Sequence, residues 1–260
     1  MHVAELVIYP IKSLRGISVA SSQVEKRGLR YDRRWMLVDS EGVFLTQRKL
    51  FTMALFDVAL GAEGLEVSFR GTSIHVPFEP ATLERQVQVW RSTVTALSVS
   101  REVDAWFSEA LNMPCGLVYM PETSIRRVPS AGAKSSDIVS FADANPILIA
   151  GQASIDDLNS RLENPIPIRR FRPNIVVEGS NAYEEDDWSV IRVGELDLRK
   201  TTQCGRCAVP TIDIETGIPS DEPLRTLNTY RRFGQKVCFG TYYVPDKLGT
   251  IRVGDAINRA

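Results

Sequence analysis

Short runs of alternating apolar and polar residues, separated by turn residues, fill most of the first hundred positions. AELVIYPI (4–11), RWMLVDSEGVFLTQ (34–47), LEVSFRGTSIHVPF (65–78) and RQVQVWRSTVTALSV (85–99) read as β-strands and hairpins, with 39–42 as a hairpin turn. The period changes over residues 103–111, where Trp106, Phe107, Ala110 and Leu111 fall on one face of a helix that joins this module to the next. Beyond residue 115 the pattern mixes strands (GLVYM, PILIA, NIVVEG) with helices. One helix is expected over 154–162, opened by a capping box at Ser154 and Asp157 and burying Ile155, Leu158 and Leu162; another opens at Asp221-Glu-Pro223. The word IRVG recurs at 191 and 251 and reads as two barrel strands ending in similar turns. The fold class is therefore mostly β, an α+β chain: an antiparallel β module over residues 1–118, then a β-barrel with flanking helices over 119–260. Residues 121–146 form the loosest stretch, of a length that is as compatible with function as with plain mobility.

With 260 residues and 43% hydrophobic positions the chain can bury a core without staples. Its 31 basic and 32 acidic side chains nearly cancel, which argues against nucleic-acid or membrane binding through bulk electrostatics. No stretch has the length of a spanning helix or the layout of a signal peptide, so a cytoplasmic protein is expected. Four irregularly spaced cysteines do not make a secreted disulfide framework.

Common enzyme chemistries lack their residues. The histidines are His2 and His75, the first terminal and the second inside a β run, which leaves no base for a serine hydrolase. The P-loop, dinucleotide and zincin signatures are missing too. Cys204-Gly205-Arg206-Cys207 holds the chemistry that remains, although a lone C-x-x-C pair is a weak signal and incidental thiols are one reading of it. A closed zinc site has no second knuckle in Cys115 and Cys238. A dithiol redox pair expects a helix start, whereas this segment reads as extended on both sides, which would turn the two sulfurs to opposite faces. One thiolate beside Arg206 would then face a site alone, as nucleophile or metal ligand. Basic words at Lys12, at Arg30, Arg33 and Arg34, and at Arg169, Arg170 and Arg172 are each ordinary surface by themselves. Taken with the thiolate they point to an anionic, phosphate-bearing cofactor.

The words YPIKS, LRYDRRWMLVD, LNSRLE, FRPNIVVEG, CGRC followed by T-x-D-x-x-TG, and FGTYY before LGTIRVGD occur in this order along the chain. The set closely resembles the MOSC-domain molybdenum proteins, in the group with an N-terminal β-barrel module that includes the mitochondrial amidoxime reducing component. The resemblance covers nearly the whole chain. It implies a molybdenum cofactor whose metal is bound by Cys207, with Cys204 as a bystander. It further implies cofactor contacts from Lys12, Ser13, Arg33, Arg172, Asn174, Gly205, Arg206 and Tyr242, and an active-site carboxylate at Asp213, for which an Asx-type turn is the competing, second reading. Ala144 and Asn145 stand where the family carries hydroxyl residues; Asn145 keeps hydrogen-bonding capacity, and Ala144 could contribute only backbone. The activity implied is reduction of N-hydroxylated compounds such as hydroxylaminopurines, amidoximes or N-oxides, with electrons from a separate flavin or iron–sulfur protein. A carrier of molybdenum cofactor or sulfur using Cys207 is the alternative.

Overall fold

The computed structural model describes residues 1–78 and 83–259; residue 260, the last of the expected second module, lies outside them. The chain is mostly β, with curled sheets and three α-helices among the described residues. Nine strands form the largest sheet. Its spatial order is Ile257–Arg259, Val190–Val193, Leu196–Gly205, Lys236–Pro245, Ile147–Gly151, Ile175–Glu178, His2–Ile8 and Ile17–Ser18, with Arg232–Phe233 pairing on the flank of Lys236–Pro245. Ile147–Gly151 and Ile175–Glu178 run parallel, and the other neighbours in this sheet are antiparallel.

The hairpins read from alternation are present: Gly64–Phe69 with Thr72–Pro77, and Glu84–Val89 with Ser92–Ser98. The 39–42 turn forms because the Asp39 carboxylate accepts from the Glu41 and Val43 amides, an Asx turn. The joining helix, Arg101–Leu111, is capped by Ser100, whose hydroxyl accepts from the Val103 amide, and it ends on Asn112 in the left-handed region. It buries Val103 and Phe107 against Trp35, Phe56 and Leu117 in the core of the N-terminal half.

The expected capping box at Ser154 is not formed. The helix, Gln152–Asn159, starts two residues earlier with Gly151 at its N-cap. Ser154 is buried inside the helix and donates to the Glu185 carboxylate, so the hydroxyl serves a tertiary contact in place of a cap. Ile155 and Leu158 are buried as expected, and Leu162 lies past the helix end.

The two halves are sewn together by the chain's own N-terminus. His2–Ile8 completes the sheet of the C-terminal half, and Ser21–Glu25 pairs with Gly249–Arg252. Val3, Leu6, Ile8, Val24 and Leu29 accordingly share one core with Ile149, Ile175, Leu198 and Tyr243. At Gly28 the backbone φ is +108°, and a Cβ would lie 2.5 Å from the Pro146 carbonyl oxygen. That approach sets the end of the 121–146 segment against the N-terminal half, and any side chain at Gly28 would push it away.

Candidate functional site

Between the halves lies a cavity of about 640 Å³, lined from both of them. Strand ends and loops bring its residues together: Lys12 and Ser13 after the first strand, Arg33 before Trp35–Val38, the 46–48 loop, the end of the 121–146 segment, Arg172 and Asn174 before Ile175–Glu178, and the end of Leu196–Gly205. Ser13, Arg33 and Arg172 all have φ in the left-handed region, at 72°, 50° and 58°. Such backbone is costly for residues with a Cβ and persists where surrounding contacts impose it.

A buried hydrogen-bond network beside these residues centres on Asn174, which is 1% exposed. Its Oδ1 accepts from Arg33 Nη1 and from the Leu148 amide, both at 3.1 Å, while Nδ2 donates to the Val7 carbonyl at 3.1 Å and to Asp32 Oδ1 at 3.0 Å. Asp32 also accepts from the Tyr9 amide and from Arg33 Nη1. Burial raises the Asp32 carboxyl's pKa, against the opposing pull of Arg33 and these hydrogen bonds. The guanidinium groups of Arg33 and Arg172 lie 4.3 Å and 4.1 Å from the Tyr9 ring centre, so one aromatic ring steadies two like charges. Burial first, and then the Arg33 charge, lower the pKa of Arg172 to about 10.

Lys12 is nearly buried, donates to the Phe141 carbonyl at 2.8 Å, and pairs with Asp143. Burial depresses its ammonium pKa to about 8 even though Asp143 pulls the other way. Asp143 also accepts from Arg48 Nη2 at 2.6 Å and from the Trp90 indole N–H at 3.2 Å. Burial alone would raise the Asp143 carboxyl's pKa; the charges of Lys12 and Arg48 outweigh it and hold the group well below the usual carboxylate range.

Strand geometry does not separate the two thiols as an extended reading requires. Leu196–Gly205 ends at Gly205, the chain turns, and both Cys204 and Cys207 line the cavity. They have different partners. Cys204 is buried and its sulfur accepts from Arg206 Nη1 at 2.8 Å, whereas Cys207 accepts from Arg48 Nε at 3.1 Å. The cation beside Cys207 is thus Arg48, 159 positions away in the chain, and sequence proximity pointed to Arg206 instead. Arg206 reaches past its neighbour to the Phe171 carbonyl, and its Nε is buried with no hydrogen-bond partner among the described residues. Tyr242 closes the wall, its phenol pKa raised by burial and by the adjacent Cys204 sulfur.

Lys12, Ser13, Arg33, Ala144, Asn145, Arg172, Asn174, Gly205, Arg206, Cys207 and Tyr242 all line this one cavity. The Asn145 amide donates to Ser130 and accepts from Thr201, which uses one of its two N–H donors and one of its two acceptor positions. Asp213 lies elsewhere. Its Oδ1 accepts from the Glu215 and Thr216 amides and the Thr216 hydroxyl, the Asx turn that the T-x-D word also permitted, and it does not line the cavity. Arg34 donates to the Met120 carbonyl, Arg169 pairs with Glu5 and Arg170 donates to the Pro210 carbonyl, so these three of the seven basic residues serve the fold. Arg48, Asp143 and Trp90 are the residues that sequence reasoning missed. The basic tetrad Thr46-Gln47-Arg48-Lys49 directly after a β run was the available signal for Arg48.

Fold and site together define a β-rich protein with a cavity of about 640 Å³ at the seam of two halves, its walls carrying several cations and two thiols. The family comparisons agree with that class. The model described as "MOSC N-terminal beta barrel domain" matches residues 1–114 and the model "MOSC domain" matches residues 136–258. A mitochondrial amidoxime-reducing component 1 from Mus musculus is 35% identical over 98% of this chain and 81% of its own length, and the Homo sapiens protein of the same name is 32% identical over 98% and 82%. A molybdenum cofactor sulfurase from Oryza sativa subsp. japonica is 34% identical over 92% of this chain, which spans 32% of that protein. The chain belongs to the MOSC family.

Proposed function

We propose that this protein is a molybdenum-cofactor-dependent reductase of N-hydroxylated compounds, acting in the cytoplasm. The observation that carries the reading is the Cys207 thiol in a cavity with Lys12, Arg33, Arg48, Arg172, Arg206 and Lys236 on its walls and Asp143 as the carboxylate. Such a donor set fits an anionic group that offers a metal to one sulfur and a phosphate to several cations. The unpartnered Arg206 Nε fits it as well, since a buried donor calls for an acceptor from a ligand. Among the described residues no three His, Cys, Asp or Glu side chains converge to hold an ion, so a metal bound here would take most of its ligands from outside the chain. The names of the rodent and human relatives support the reaction class.

In this reading Cys207 is the metal ligand, and Lys12, Ser13, Arg33, Arg172 and Asn174 receive the phosphate and pterin. Gly205, Arg206 and Tyr242 line the side near the sulfur, Ala144 offers backbone, and Asn145 holds the loop. Once bound, the cofactor supplies two-electron oxygen-atom chemistry that these side chains lack. The chain's own contribution is positional. Asp143 stays ionised and fixes Lys12 and Arg48, and Tyr242, with its pKa raised, keeps a phenolic proton at Oη beside Cys204. A pair of electrons from a separate flavin or iron–sulfur protein and a pair of protons cleave the N–O bond, and the oxygen leaves as water.

The test is turnover of benzamidoxime to benzamidine by cofactor-loaded protein with a chemically reduced viologen as donor. Amidine formation that Cys207→Ser abolishes is the expected result. Loaded protein that reduces neither benzamidoxime nor a hydroxylaminopurine would return the cavity to the carrier reading.

A further inference from the structure

Cys207 lies in the C-terminal half, yet the side chain on its sulfur comes from the N-terminal half. Arg48 donates through Nε to Cys207 and through Nη2 to Asp143. Its guanidinium carbon sits 4.5 Å from the Trp90 ring centre. Trp90 in turn packs on Phe44, with ring centres 4.9 Å apart, and its indole N–H is fixed by Asp143. A guanidinium held along its Nε/Nη2 edge and against a ring has already given up much of its rotamer freedom, so a ligand that meets it need not order it.

Two observations make this a recognition group as well as a strut. Asp143 is shared by Lys12 and Arg48, so the single carboxylate does not by itself neutralise both cations. Arg48 Nη1 also has no protein partner among the described residues, while the side chain is 20% exposed and lines the cavity beside Cys207. Charge and a directed donor are thus both available where a substrate would approach. We propose that Arg48, braced by Trp90 and Asp143, is a substrate-positioning residue that selects N-hydroxylated compounds bearing a carboxylate. This rests on the reductase reading and adds a preference which that reading does not require.

A charge-assisted hydrogen bond at a partly exposed site corresponds to about a tenfold preference. The experiment compares kcat/KM for benzamidoxime and 4-carboxybenzamidoxime. Wild type favours the carboxylated compound by about tenfold, Arg48→Met brings the ratio close to one, and Arg48→Lys restores part of it by keeping charge without the planar fork. Purely structural damage lowers both substrates together and leaves the ratio alone. Tryptophan fluorescence quenching by the same two compounds reads binding without turnover, and the same preference is expected there. An unchanged ratio in Arg48→Met, or equal binding of the two compounds to wild type, overturns the proposal. A carboxylate preference in binding with no turnover of either compound would support the role of Arg48 and sink the reductase reading instead.

Discussion

Asn174 is the side chain whose loss should damage both the fold and the cavity. Replacing it with leucine keeps approximate volume and removes all four of its hydrogen bonds, to Arg33, Leu148, Val7 and Asp32. The Leu148 amide and Val7 carbonyl belong to strands on either side of Ile175–Glu178, and Asn174 itself is 1% exposed. Each buried polar group left unpaired costs about 1–3 kcal/mol, and charged partners cost more. Asp32 and Arg33 keep each other, which limits the total to roughly 3–5 kcal/mol. At about 2–4 °C per kcal/mol for a chain of this size, the midpoint of thermal unfolding should fall by roughly 10 °C. Circular dichroism melts of wild type and Asn174→Leu measure it. Combining Asn174→Leu with Asp32→Leu should cost less than the sum of the two, because the groups share one network. A drop below about 2 °C, or strict additivity, would refute the claim that this network holds the seam.

Lys12 makes a prediction with a definite sign. Its pKa is about 8 in the folded protein, below the ordinary lysine value, so between those limits the unfolded chain binds more protons and stability attributable to Lys12 rises with pH. The stability of wild type relative to Lys12→Met, from urea melts, should therefore increase from pH 7 to pH 10; a flat or falling difference would contradict the burial of a charged amine there. Asp213→Asn should destabilise its turn by about 1 kcal/mol and leave reductase turnover within about threefold. A loss of about a hundredfold or more would show that the carboxylate acts in the chemistry despite its place in the turn.

The strands and the joining helix were legible because their periodicity is local: Val67, Val76, Val87 and Val94 are each buried in their strand beside more exposed neighbours, and Val103 and Phe107 lie a helical turn apart. Which strands share a sheet was not legible. His2–Ile8 pairs with Ile175–Glu178 across most of the chain, and nothing in an apolar run names a distant partner. The collinear words did gather Lys12, Arg33, Arg172, Asn174 and Cys207 around one cavity. The extended-strand reading, separate from those words, put the two thiols on opposite faces with Arg206 as the neighbouring cation, whereas the strand ends at Gly205, both thiols line the cavity and Arg48 donates to Cys207. Arg48 had no word of its own, and its role depends on Trp90 and Asp143, which reach it from two other segments. Asp213 shows the reverse case, in which a chemically suggestive residue is accounted for by a local turn.

The central claim, that Cys207 in this cavity binds the metal of a molybdenum cofactor, is tested most directly by molybdenum and pterin analysis of protein purified from a host that makes the cofactor. Roughly one molybdenum per chain is expected in wild type and in Cys204→Ser, and close to none in Cys207→Ser. Wild-type protein without molybdenum, or Cys207→Ser that retains it in full, would contradict the account.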